Sequence, residues 1–164
     1  VYNVPGGTLV DADIVLKTTD GKVHLDGDPQ HAGFQFRASN DVQTQGNNGK
    51  TYYLRPDGKG KQGETRNWEP KKMGPVNLPW NVMSFVLDGQ RYSVLYIDHP
   101  DNPGEKRYSE RDYGRFGDYF EYDLTPDKPL KLRYRVWVQE GEMTVEQCEK
   151  LAAAFVSPHA TKAK

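Results

Sequence analysis

The sequence predicts an all-β protein, an antiparallel β-sandwich of jelly-roll type closed by one C-terminal α-helix. Three observations predict it. Short apolar runs of about seven or eight strands, several alternating with period two, are separated by Gly, Pro, Asn and Asp. Only one stretch, near the end, carries helical periodicity. The 164 residues include 16 Gly, 11 Pro and 10 Tyr, a composition that suits turns and pleated surfaces.

Taken in order, the segment from Thr8 to Leu16 reads as a strand with Leu9, Ile14 and Leu16 as apolar points. Thr19-Asp20-Gly21-Lys22 turns the chain, and Val23-His24-Leu25 returns it. From His31 to Ala38 the pattern places Phe34 and Phe36 on one face and Gln35 and Arg37 on the other, because successive side chains alternate across a strand. Asn40 to Gly49 is polar and reads as a loop, and Thr51 to Leu54 as a brief strand. The connection from Arg55 to Leu78 has little periodicity, and loops of that length tend to be functional. Within it, Arg66-Asn67-Trp68 is read as a lid or as a plain loop.

The central feature is a hairpin. Pro79 to Leu87 and Arg91 to Ile97 flank Asp88-Gly89, and Asp-Gly between β-rich runs supplies the positive φ of a tight turn. The second strand leaves through Asp98-His99-Pro100-Asp101-Asn102-Pro103, and Arg107 to Gly117 reads as a charged, aromatic loop over the strand end. Asp118 to Asp123 is another strand. In the last one, Leu130 to Gln139, Leu132, Tyr134, Val136 and Val138 belong in a core, while Arg133, Arg135 and Trp137 lie opposite. Thr144 and Gln147 form a capping box for a helix over 144–156. Cys148, Leu151, Ala152 and Phe155 make its apolar stripe, so Cys148 reads as a small hydrophobe. These elements predict a single domain over 1–158 and a disordered tail over 159–164.

Charge is nearly balanced, 22 basic residues against 23 acidic, which argues against nucleic acid and anionic membrane as partners. No apolar run is long enough to span a bilayer. One cysteine excludes an intrachain disulfide. Val1 begins the chain without a basic-then-apolar leader, which reads as a mature or trimmed product.

The series Trp80, Asp98-His99-Pro100-Asp101-Asn102-Pro103, Arg111-Asp112-Tyr113-Gly114, Leu132-Arg133-Tyr134-Arg135 and Gly141 resembles the C-terminal half of the PmoA-like family. These bacterial proteins carry a methane-oxygenase name and resemble galactose-mutarotase-type β-sandwiches. The resemblance covers roughly residues 8 to 141 and implies a carbohydrate context. It also implies a secreted or periplasmic bacterial setting. Family members are about twice this length and usually carry a His-Arg-Gly segment, to which His31-Ala32-Gly33 would correspond.

No phosphate loop, zinc-type Cys/His spacing or serine elbow is present, so the site candidates are clusters. His99 is read as a general acid/base or metal ligand, or as a turn residue beside Pro100. His31 would complete a pair with it if their strands meet, and two histidines with a carboxylate suit proton transfer or a divalent metal. Glu110 and Tyr113 complete the catalytic candidates. Arg111, Arg115, Arg37, Trp80 and Trp137 are the candidates for holding oxygen groups or stacking on a sugar. The expectation is a carbohydrate-active protein working by acid/base chemistry (hydrolase, lyase or epimerase type). The competing expectations are a non-catalytic carbohydrate-binding module and a structural or interaction domain.

Overall fold

A computed structural model describes residues 1–44, 49–68 and 74–157. Its elements are β1 (Tyr2–Val4), β2 (Gly7–Leu16), β3 (Val23–Leu25), β4 (Phe34–Arg37), the one-turn α1 (Asp41–Thr44), β5 (Tyr52–Arg55), β6 (Gly58–Lys59), β7 (Asn81–Leu87), β8 (Gln90–Asp98), β9 (Arg107–Arg111), β10 (Arg115–Tyr119), β11 (Tyr122–Leu124), β12 (Leu130–Glu140) and α2 (Val145–Val156). A large sheet runs in the order β1-β2-β12-β8-β7-β5-β6, a small sheet in the order β4-β10-β9, and β11 pairs with β3 as a ribbon. The pairings are antiparallel. The all-β antiparallel fold with a C-terminal helix is thus as the sequence predicts.

The hairpin β7–β8 turns where expected. Asp88 has φ 50° and Gly89 φ 77°, two successive left-handed residues whose twist matches that of the strands they join.

The large sheet is covered on both faces. Towards the small sheet it presents Tyr53, Met83, Phe85, Val94, Tyr96, Tyr134 and Val136, which meet Tyr108 and Phe116. Towards α2 it presents Tyr52, Leu54, Val82, Leu95 and Ile97, which meet Cys148, Ala152 and Phe155. Strands buried on both faces read as nearly continuous apolar runs rather than alternating ones, which is why Asn81–Leu87 carries so little period-two signal. In β12 the predicted register holds: Leu132, Tyr134 and Val136 are buried, while Val138 is only partly covered. The capping box of α2 is present, with Thr144 Oγ1 accepting from Gln147 N at 3.2 Å and Gln147 Oε1 accepting from Thr144 N at 2.9 Å. Burial pushes the Cys148 thiol up to about 12, which suits a space-filling side chain and not a nucleophile.

Three expectations are corrected. Arg107 to Gly117 is no loop: it forms most of the hairpin β9–β10, whose tight turn at Gly114 has φ 97°. Within the Arg55–Leu78 connection, Arg66 and Asn67 are tied to β9. Arg66 exchanges both backbone bonds with Glu110 at 2.8 and 2.9 Å, and Asn67 Oδ1 accepts from Ser109 Oγ at 2.9 Å. Arg66 and Asn67 thus extend the edge of β9. Asn40 to Gly49 contains α1, whose Val42 is buried. The predicted 159–164 tail lies outside the described residues.

Candidate functional site on the small sheet

The outer face of the small sheet carries an in-register row of arginines. Arg37 on β4 pairs with Arg115 on β10, and Arg115 pairs with Arg111 on β9. Residues directly opposite on neighbouring strands share a face, with Cβ atoms about 4.5–5.5 Å apart. The inner face is taken by Phe36, Phe116 and Tyr108, so the alternation of each strand sends the three guanidinium groups outward.

Their hydrogen-bond partners are neutral. Arg37 Nη2 donates to Asn40 Oδ1 at 3.0 Å, Arg115 Nη2 to the Gln30 carbonyl at 2.7 Å, and Arg111 Nε to the Tyr113 hydroxyl at 3.3 Å. Tyr113 also lies under both cations, its ring 5.4 Å from the Arg111 guanidinium and 5.7 Å from that of Arg115. None of the three forms an ion pair with a carboxylate among the described residues, in contrast to Arg55, Arg107 and Arg135. Like charges placed opposite one another cost stability. The fold carries that cost here without a direct ion pair, although the Asp28 carboxylate acts on Arg115 through space.

Two buried polar atoms on this face have no partner: Arg115 Nε and Gln35 Oε1. Leaving such an atom unsatisfied costs about 1–3 kcal/mol. Gln35 Nε2 donates to the Ala32 carbonyl at 2.9 Å, which fixes the amide so that Oε1 is the unpaired end. Gly117, two residues along β10 from Arg115, is the cross-strand partner of Gln35. A Cβ there would sit 2.3 Å from the Phe34 carbonyl and 2.9 Å from Gln35 Cδ, so glycine leaves the notch in which the amide lies.

A histidine–carboxylate pair borders the row. His31 Nδ1 bonds an Asp28 oxygen, and both side chains are about half exposed. The Gln30 N–H, donating to Asp28 at 2.8 Å, and then His31 hold the Asp28 carboxyl below its ordinary range. With Nδ1 committed to the carboxylate, Nε2 is the nitrogen left for proton exchange. The loop that carries this pair is the one whose Gln30 carbonyl is gripped by Arg115.

Of the residues nominated from sequence, the structure therefore brings together Arg37, Arg111, Arg115 and Tyr113, with His31 at the border. It does not bring in the other four. Glu110 alternates to the inner face of β9, where it is fully buried and bonded to Arg55 and Asn81. His99 lies on the far side of the large sheet, beneath Phe155 of α2. Its Nε2 faces Arg133 Nη1 at 3.0 Å, and burial, then Arg133, lowers its pKa. The expected meeting of His99 with His31, Arg111 and Tyr113 does not occur. Trp80 is buried on the α2 side and is no open stacking platform. Trp137 packs on the same side, its Nε1 donating to Gln139 at 2.9 Å.

The Asp-His-Pro-Asp-Asn-Pro motif is a corner of the fold. Asn102 Oδ1 accepts from Arg133 N at 2.8 Å, and Asn102 Nδ2 donates to the Arg133 carbonyl at 2.8 Å and to Asp98. The side chain thus prolongs the β8–β12 ladder by one rung.

Sequence reasoning missed Gln35 and Asp28 as members of the site. It also missed a buried acid pair inside the sandwich. Asp98, 3.6 Å from Lys106, is raised to about 6 by burial. Asp118 is raised to about 7 by burial and by Asp98. Asp98 and Lys106 edge a groove of about 660 Å³ shared with Trp80, Pro100 and Ala152. An acidic residue at an otherwise apolar inward position, as Asp118 is between Phe116 and Phe120, is the signal that would have found it. Among the described residues, no group of three His, Cys, Asp or Glu side chains gathers to hold a metal ion, and no helix is long and apolar enough to cross a membrane.

Fold and site together define an antiparallel β-sandwich protein with a cationic face on its smaller sheet. The chain belongs to a family of unknown function, DUF6807, whose model matches residues 1–153. No curated protein and no solved structure matches it.

Proposed function

We propose that this is a carbohydrate-active protein of a secreted or periplasmic bacterial setting, taking a sugar derivative on the outer face of the small sheet and acting on it by acid/base chemistry. The observation that carries the proposal is the Asp28–His31 pair standing beside Arg115 through the Gln30 carbonyl. Asp28 orients the imidazole, His31 Nε2 exchanges a proton with the ligand, and the guanidinium groups and Tyr113 hold its oxygens. The resemblance to the PmoA-like family supports the carbohydrate context. A second reading, a non-catalytic carbohydrate-binding module, is favoured by His99 standing apart, which leaves one imidazole at the site.

The test is a panel of mono- and oligosaccharides screened for binding by ligand-observed NMR and for product by mass spectrometry. Turnover that falls about 10²–10⁴-fold in His31→Ala, the range for losing a general acid/base, with binding retained, supports the enzyme. Binding without product in the wild-type chain supports the module. No sugar bound by a folded chain overturns both.

A further inference from the structure

We propose that the Arg37–Arg115–Arg111 row is an anion subsite, and that the sugar derivative taken on this face carries a carboxylate or sulfate group. This rests on the carbohydrate reading above and adds to it the chemical class of the ligand.

Three features converge. The first is the row itself: three guanidinium groups in register across three strands, each with a donor on a neutral oxygen and none in a direct ion pair with a carboxylate among the described residues. A guanidinium presents a planar fork of donors that matches the two oxygens of a carboxylate or the oxygens of a sulfate. The second is Arg115, which is 8% exposed and has a buried Nε without a partner. A buried donor left unpaired in the centre of the row carries a desolvation cost that an acceptor reaching it would relieve.

The third feature separates an acidic sugar from a bare anion. Gln35 Oε1 is an acceptor left unpaired on the same face, one ladder step along β4 from Arg37. An unpaired donor and an unpaired acceptor on diagonal positions of one face suit a ligand that offers both an anion and a hydroxyl. A uronate or a sulfated sugar does so. Inorganic sulfate offers only the first, and a neutral sugar only hydroxyls. The acidic side chains of the neighbouring segments make no direct ion pair with the row, and Asp28 acts on Arg115 only through space. Asp28 is engaged by His31 and by the Gln30 N–H, Asp112 accepts from Thr65 at 2.8 Å, and Asp41 accepts from Ser39 at 2.9 Å.

The experiment uses the full chain, with D-glucuronate, D-glucose 6-sulfate, D-glucose and sodium sulfate as separate probes. Binding is followed through the arginine Nε–H signals in ¹H–¹⁵N NMR. The expected result is that an acidic sugar shifts the Arg115 signal, that affinity falls as salt rises, and that Arg37→Gln and Arg115→Gln each lower it about tenfold or more, the loss of one charge-assisted contact. Glucuronate against glucose 6-sulfate decides which anion is taken. Arg37 is exposed, so its variant reports on binding even if Arg115→Gln fails to fold. Sodium sulfate binding as tightly as the acidic sugars would keep the anion subsite and overturn the carbohydrate reading. Glucose binding as well as glucuronate, with both variants unaffected, would overturn the anion subsite and leave the carbohydrate reading standing. No shift with any anion also overturns it.

Discussion

The imidazole of His99 meets the phenyl ring of Phe155 edge-on, the centroids 5.2 Å apart and the planes at 87°. The same phenyl ring lies 4.6 Å from the guanidinium of Arg135 and 5.5 Å from that of Arg133. A histidine nominated as a catalyst is therefore part of the seat of the terminal helix. Because Nε2 faces an arginine donor, the neutral imidazole fits and the imidazolium does not.

The first prediction is the pH dependence of that seat. Burial and Arg133 lower the His99 pKa below 6.5, so as pH falls the unfolded chain takes up this proton before the folded one does. The contribution of His99 is complete above about 6.5 and is lost as pH falls below it. His99→Phe should flatten this acid-side loss in thermal unfolding measured from pH 7.5 to 5. A variant with the wild-type acid slope would show that another group governs it.

Phe155→Ala should cost about 3–5 kcal/mol, since the ring is buried against both the sheet and His99. Chemical denaturation measures it. A loss below about 1 kcal/mol would mean that the helix docks without that ring.

The acid pair acts in the opposite sense. Burial raises Asp98 to about 6 and, with Asp98 beside it, Asp118 to about 7, both above the ordinary 3.8. The folded state binds more protons than the unfolded one, so the contribution of these groups is complete below about pH 4 and is lost as pH rises through 7. The Asp118 carboxyl is held inside by the Tyr96 hydroxyl, which donates to it and also lies 3.0 Å from the Phe34 carbonyl. Asp118→Asn should therefore fold and lose part of the decline in stability between pH 5 and 8. An unchanged slope would place the coupling elsewhere.

Inside the sandwich, Glu110 accepts from Arg55 Nε at 2.8 Å and Asn81 Nδ2 at 2.8 Å. Glu110→Ala leaves Arg55 buried without its counter-charge and should cost about 3–5 kcal/mol. Replacing Glu110 and Arg55 together by Leu and Met should recover most of it. Equal losses in the single and double variants would count against the ion pair as the cause.

At the surface, Thr144→Ala should cost about 1 kcal/mol through loss of the helix cap. Hydrogen exchange should show the effect confined to the first turn of α2.

Short-range order was legible in the residues. Asp88-Gly89 announced the central turn, the alternation of Leu132, Tyr134 and Val136 set the inward face of β12, and Thr144 with Gln147 marked where the helix begins. Each is decided within a few positions, by turn chemistry, by the two-residue period or by a cap. The same alternation assigned Arg37 to the face opposite Phe34 and Phe36. What the sequence left open was partnership across long separations. Charge density made β9–β10 look like a loop because the row it builds spans strands whose pairing no local pattern encodes. His99 and His31 looked like a pair because a linear chain carries no record of which side of a sheet a residue leaves by. By itself the sequence determined the β class, the central hairpin, the last strand, the helix and the direction in which their side chains point. Only the tertiary structure decided that Arg37, Arg111 and Arg115 share one register while His99 lies beneath the helix, because a register is fixed by burying one face of every strand at once.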